Sequence, residues 1–218
     1  MNTKRIINII LAVVFYIAFG VFTKAVMSYD LQPIGCDGSM VGFGTFNKRW
    51  FEQIGTSELW YEITQVLGYL ALLICAVFAL IGFVQLVKGK SLKAVDPDII
   101  CMGVLYILCI ACYVVFLKVT INVRPVLENG AAESSYPSSH TMLAMCVFAS
   151  LLIEIRRRIT DSAKAMLESI ACSVFISITV FGRLLSGMHW ATDIIGAVLI
   201  SFAFIFTFAA ILPGRGKK

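Results

Sequence analysis

Six long apolar stretches limit what this chain can fold into. They run Ile6–Met27, Tyr61–Val87, Ile99–Val123, Thr141–Ile155, Ala165–Ser186 and Ala191–Leu212. A helix crossing the hydrocarbon core of a bilayer needs about 20 mostly apolar residues, and only Thr141–Ile155 is short of that. Inside hydrocarbon every backbone N–H and C=O must be satisfied within the segment, so spans of this kind are helical. Composition removes the soluble alternative: 59% of the 218 residues are hydrophobic and 14% charged, more apolar surface than a soluble domain of this length can bury. No Gly/Ser linker, internal repeat or low-complexity tract divides the chain. Residues 1–218 therefore read as a single integral membrane domain, an all-α polytopic protein with six transmembrane helices.

The first stretch follows Lys4 and Arg5, as a secretory signal would. Its apolar run is longer than a signal's, and Thr23–Met27 is a poor cleavage site, so it is read as a retained helix. Cys75, Cys101, Cys109, Cys112, Cys146 and Cys172 lie in apolar stretches, where a thiol acts as a small hydrophobe. Only Cys36 falls in a loop, and no CxxC occurs. Neither a zinc site nor a disulfide framework is indicated.

Six spans place both ends of the chain on one side. Cytoplasmic loops are rich in Lys and Arg. Lys4 and Arg5, then Lys88, Lys90 and Lys93, then Arg156, Arg157, Arg158 and Lys164, and finally Arg215, Lys217 and Lys218 all fall on the same side, which is read as cytoplasmic. The net charge of +5 is thus a signal of topology, and no nucleic-acid partner is expected. Lys24, Lys48, Arg49, Lys118, Arg124 and Arg183 are left for the outer side. Lys118 and Arg183 lie in otherwise apolar helices near their outer ends. A charge there is costly unless paired or facing a polar cavity, although snorkelling is the plainer alternative. With Arg124 they make three cations at one depth, which favours a shared anionic ligand.

The chain has two histidines, His140 and His189, both at outer helix boundaries and level with these cations. His189 and Asp193 are spaced for one helical face. A carboxylate beside one ring nitrogen fixes the tautomer and leaves the other nitrogen a directed nucleophile. Pro137-Ser138-Ser139-His140 opens the fourth helix, whose N-terminal N–H groups suit a phosphate. Simple capping by Ser138 or Ser139 is the structural alternative.

Lys118-x5-Arg124-Pro125, Pro137-Ser138-Ser139-His140 and Gly182-Arg183-x5-His189-x3-Asp193 together resemble the type 2 phosphatidic acid phosphatase (PAP2) superfamily, with its K-x6-R-P, P-S-G-H and S-R-x5-H-x3-D motifs. The resemblance implies His189 as nucleophile, Asp193 as its orienting acid and His140 as general acid. It implies Lys118, Arg124, Ser138, Ser139 and Arg183 as phosphate-binding residues. With that much fixed positive charge no metal or other cofactor is expected. The first motif is one residue short. At ~100° per residue this leaves Lys118 roughly 120° from Arg124 on a helix, an offset that unwinding before Pro125 can absorb. Ser139 stands for the motif glycine and retains its N–H. Gly182 stands for the motif serine, removing one expected phosphate contact.

The first outer loop, Ser28–Trp60, carries Phe43, Phe46, Trp50 and Phe51 and reads as an interfacial lid or lipid-access segment, with an aromatic belt as the alternative. The expected function is a metal-independent membrane phosphatase, acting through a phosphohistidine on a lipid phosphate or diphosphate of the phosphatidate, phosphatidylglycerol phosphate or undecaprenyl diphosphate type. Two alternatives stand beside it: a PAP2-type phosphotransferase, and a catalytically silent transporter or scaffold of the same fold. A bacterial plasma membrane is expected, with the site on the outer face. Oligomeric state is left open.

Overall fold

The computed structural model describes residues 3–128 and 130–214. The cations Arg215, Lys217 and Lys218, counted above with the cytoplasmic side, lie outside the described residues. Among the described residues six helices are long and apolar enough to cross a membrane: α1 (Thr3–Val26), α3 (Glu58–Gly89), α4 (Pro97–Lys118), α5 (Ser139–Arg158), α6 (Ser162–Leu185) and α7 (Ala191–Ile211). The first loop carries a short antiparallel ribbon, β1 (Gln32–Pro33) with β2 (Met40–Val41), and the helix α2 (Gly44–Ile54). The protein is an integral membrane protein of helical architecture.

Two boundaries differ informatively from the sequence reading. The third apolar stretch was expected to stay helical to Val123, but α4 ends at Lys118. Residues 119–128 and 130–138 instead form an irregular excursion with bridges Val123–Ser134 and Glu128–Ala131. Pro125 has no N–H to continue a helix and its ring disfavours the helical region for Arg124. The fourth stretch, short by hydropathy, extends at both ends to a 20-residue helix. Ser138 caps its start, and its last turn carries Arg156, Arg157 and Arg158.

The two helices with the most interior surface are α5 and α7. Half of the apolar 18-residue stretch of each is buried, against 6% for α1 and α3, whose surfaces are mostly exposed. Helices associate in membranes through small residues that let backbones approach. On α7 Gly196, Ala197, Ser201 and Ala203 are buried, and on α5 Ala144, Cys146 and Ser150. Met102, Leu105 and Cys109 of α4 close this core against Met142, Ile200 and Phe204. A Cβ at Gly196 would fall 2.6 Å from the Tyr136 ring, so only glycine leaves room for that tyrosine. Tyr136 bonds Thr23 Oγ1 on α1 at 2.7 Å and ties the 119–138 segment into the bundle.

At the far end of the bundle an ionic cluster joins α4 and α5. Arg158 reaches Asp96 and Glu154, both at 2.8 Å, and Arg157 reaches Asp98 at 3.1 Å. Arg157 also donates to the carbonyl of Pro213, just after α7, at 3.0 Å. The arginines counted in the sequence only for topology therefore also clamp three helix ends.

Candidate active site

At the opposite end, the 119–138 segment, the start of α5 and the turn between α6 and α7 converge. His189 lies just before α7, one residue ahead of the cap Trp190, and is only 4% exposed. Its Nδ1 lies 3.1 Å from the backbone carbonyl of Ser135. A carbonyl only accepts, so Nδ1 carries the proton and Nε2 presents its lone pair. Around Nε2 stand Arg124 Nη1 at 3.3 Å and Arg183 Nη2 at 3.2 Å. Burial first, then the guanidiniums of Arg124 and Arg183 and the His140 ring, hold the His189 imidazole well below its ordinary range, opposed by the Ser135 carbonyl.

Asp193 is fully buried but is not the direct partner of His189. Its Oδ2 lies 3.7 Å from Nδ1 and accepts the Trp190 N–H at 2.9 Å. Its Oδ1 accepts from Asn122 Nδ2 at 2.8 Å. The one-face expectation assumed that both residues were helical. Because His189 precedes the helix, Asp193 occupies the third helical position and turns back to cap it. Asn122 also accepts the backbone N–H of Ser135 at 2.9 Å, so one residue fixes both the carboxylate and the strand that holds the histidine.

Arg124 and Arg183, both buried, meet at His189. Arg124 Nη1 also donates to the Met188 carbonyl at 3.2 Å. Arg183 Nη1 donates to Thr64 Oγ1 on α3 at 3.4 Å, and its guanidinium carbon lies 5.5 Å from the centre of the Tyr61 ring. Gly182 now has a structural account. A Cβ there would meet Thr64 Cγ2 at 2.7 Å and the Trp60 ring at 3.0 Å. The glycine lets α3 approach closely enough for Thr64 to hold Arg183.

His140 sits in the first turn of α5, and its Nδ1 has no hydrogen-bond partner among the described residues. A Cβ at Gly68 of α3 would lie 2.9 Å from its ring. Ser138 is the N-cap of α5, accepting from the Thr141 N–H and donating to Thr141 Oγ1 at 3.1 Å. Ser138 turns inward to the cap, and Ser139 is the serine that reaches the cavity. Lys118 is not brought to it. It is exposed at the last residue of α4 and does not line the cavity. The early end of α4 leads into an irregular segment, so the missing residue of the first motif is not recovered.

The cavity encloses about 590 Å³ and is lined by Arg124, Glu128, Glu133, Ser139, His140 and His189, among others. His140, Ser139 and Tyr113 also border a second, apolar groove of about 300 Å³ between α3, α4 and α5, walled by Gly68, Leu72, Ile110 and Leu143. The two spaces meet at His140. Among the described residues no three His, Cys, Asp or Glu side chains converge as metal ligands.

The sequence reading missed Ser135, Asn122, Thr64, Gly68 and Glu128. Ser135 acts through a backbone carbonyl. Asn122, Thr64 and Gly68 are uncharged residues with no motif around them. Glu128 did carry a signal, its four-residue spacing from Arg124, with which it pairs at 2.7 Å.

The α2 helix docks beside this site. Buried Asn47 donates to Thr192 Oγ1 at 2.9 Å, and the Phe51 ring lies 5.7 Å from that of Trp190.

No curated protein matches the chain in sequence. Its fold is similar to a crystal structure described as the first transmembrane PAP2-type phosphatidylglycerolphosphate phosphatase from Bacillus subtilis. The TM-score is 0.66 at 16% identity, over 91% of this chain and 94% of that one. The sequence profile of the PAP2 superfamily matches residues 98–217. That stretch is more than half of the chain and contains all three motifs, so the chain belongs to the PAP2 superfamily.

Proposed function

We propose that this protein is a membrane lipid phosphatase working through a phosphohistidine on His189. The observation that carries the reading is the setting of His189 Nε2: a proton-free nitrogen on a ring locked by Ser135, with two guanidiniums within 3.3 Å of it. A phosphoryl group placed there meets nucleophile and charge together. Arg124, Arg183 and the first N–H groups of α5 bind the non-bridging oxygens, whose charge grows in the transition state. Nε2 attacks phosphorus and the P–O bond to the lipid breaks. His140, protonated once the phosphate anion sits beside it, gives that proton to the departing oxygen. Water then attacks the phosphohistidine while His140 takes its proton, the N–P bond breaks, and phosphate leaves. Asp193 and Asn122 keep the loop and the ring in place.

A lipid substrate is supported by the groove meeting the cavity at His140, which suits a polar phosphate joined to an acyl chain. The phosphatase of similar fold acts on phosphatidylglycerolphosphate. Within this reading Lys118, which does not line the cavity, is given no phosphate contact.

Phosphate release by the purified protein from a panel of lipid monophosphates and diphosphates tests the reading, with and without EDTA. Turnover in EDTA is expected. General acid help is worth about 10²–10⁴ in rate, chiefly for a basic leaving group. His140→Ala should therefore lose most lipid turnover while retaining a larger fraction on p-nitrophenyl phosphate, and His189→Ala should lose both. Turnover surviving in His189→Ala would sink the mechanism.

A further inference from the structure

Arg124 already holds an anion. Its Nη2 lies 2.7 Å from Glu128 Oε2, an acid whose side chain is only 13% exposed. The other oxygen, Oε1, accepts from Tyr61 Oη at 3.0 Å, and Tyr61 is the ring against which Arg183 rests. One carboxylate is thus tied to both arginines of the site, directly to Arg124 and through Tyr61 to Arg183. Arg124 Nη1 is engaged by the Met188 carbonyl and His189. A phosphate approaching His189 must therefore contend for the Nη2 that Glu128 occupies, and Glu128 lines the cavity through which it arrives.

Resting on the phosphatase reading, we propose that Glu128 is a specificity-determining residue: a built-in anion that a terminal phosphate displaces and a phosphodiester does not. The argument is one of charge and acceptor count. A phosphate monoester carries about −1.5 to −2 charge at pH 7 and three terminal oxygens, so it offers Arg124 and Arg183 more than a carboxylate does. A diester has a single charge and two non-bridging oxygens. It matches Glu128 without exceeding it, and displacing Glu128 also breaks the Tyr61 bond. The contrast matters in a bilayer, where diester headgroups surround the site in great excess over monoesters. Selectivity is then gained by opposing the competitor.

The test uses the full-length protein in mixed micelles, with vanadate as the monoester-like probe and phosphatidylglycerol as the diester. Inhibition constants for both against lipid phosphate hydrolysis are compared between wild type and Glu128→Gln, which keeps the shape and removes the charge. Both ligands should bind tighter in the variant, and phosphatidylglycerol should gain more. The ratio of the diester to the vanadate constant should fall by about tenfold, because an opposing charge at contact distance is worth that much or more. Tyr61→Phe releases Glu128 from its second partner and should shift the ratio the same way by less. Weaker vanadate inhibition in Glu128→Gln, or an unchanged ratio in an active enzyme, overturns the proposal. A wild type that neither hydrolyses lipid phosphate nor responds to vanadate overturns this inference and the phosphatase reading together.

Discussion

His189 shows how one buried side chain couples stability to pH. Its imidazole is held well below its ordinary range by burial and then by Arg124, Arg183 and His140, whereas in the unfolded chain it titrates at about 6.5. As pH falls through about 6.5 the unfolded chain binds a proton that the folded one refuses, so stability present above that pH is progressively lost below it. Melting temperature in detergent should therefore decline on acidification below about 6.5, and His189→Gln should flatten part of that decline. An unchanged slope in the variant would show that another group sets it. The same shift keeps Nε2 unprotonated at neutral pH, as a nucleophile requires. At this scale the sequence was readable wherever chemistry is written in rare residues: both histidines and both buried arginines stood out. The residues that position them did not, because a backbone carbonyl at Ser135 and an amide at Asn122 look the same anywhere in a chain. The spacing accounts for Asp193 incompletely, since its carboxylate caps the start of α7.

At the scale of elements, hydropathy located all six membrane helices, because about 20 apolar residues have few other uses. It failed at the end of α4, where residues up to Val123 are apolar enough for a span but Pro125 dictates another course. Lys118 lies apart from the cavity for the same reason, since α4 stops at that residue. Packing between elements was not legible either. Gly182 looked like the loss of a serine, yet it is the contact that seats α3 against α6. Restoring the motif with Gly182→Ser should thus lower activity, not raise it. The new Cβ would meet Thr64 at 2.7 Å, and overpacking of this kind typically costs about 1–3 kcal/mol. We expect a lower melting temperature and at least a tenfold fall in kcat/KM, in keeping with the sensitivity of catalysis to small displacements. A gain in kcat/KM would show that the serine hydroxyl outweighs the packing.

The whole molecule is polarised, with the site at one end and the Arg157–Asp98 and Arg158–Asp96 clamp at the other. The excess of cations beside the clamp leads us to propose that this end is cytoplasmic and the site faces outward. Single cysteines at Ala131, in the site segment, and at Ser91, beyond α3, in a background lacking the native thiols, should differ in intact cells: the first labels with an impermeant thiol reagent and the second does not. The reverse pattern would invert the orientation. The meeting of polar cavity and apolar groove at His140 has a consequence for traffic. On the proposed reaction the two products prefer different solvents, the inorganic ion leaving to water and the dephosphorylated lipid sliding back among its neighbours. Their separation at the moment of cleavage dilutes each away from the other, and the forward direction is favoured by geography as well as by bond chemistry.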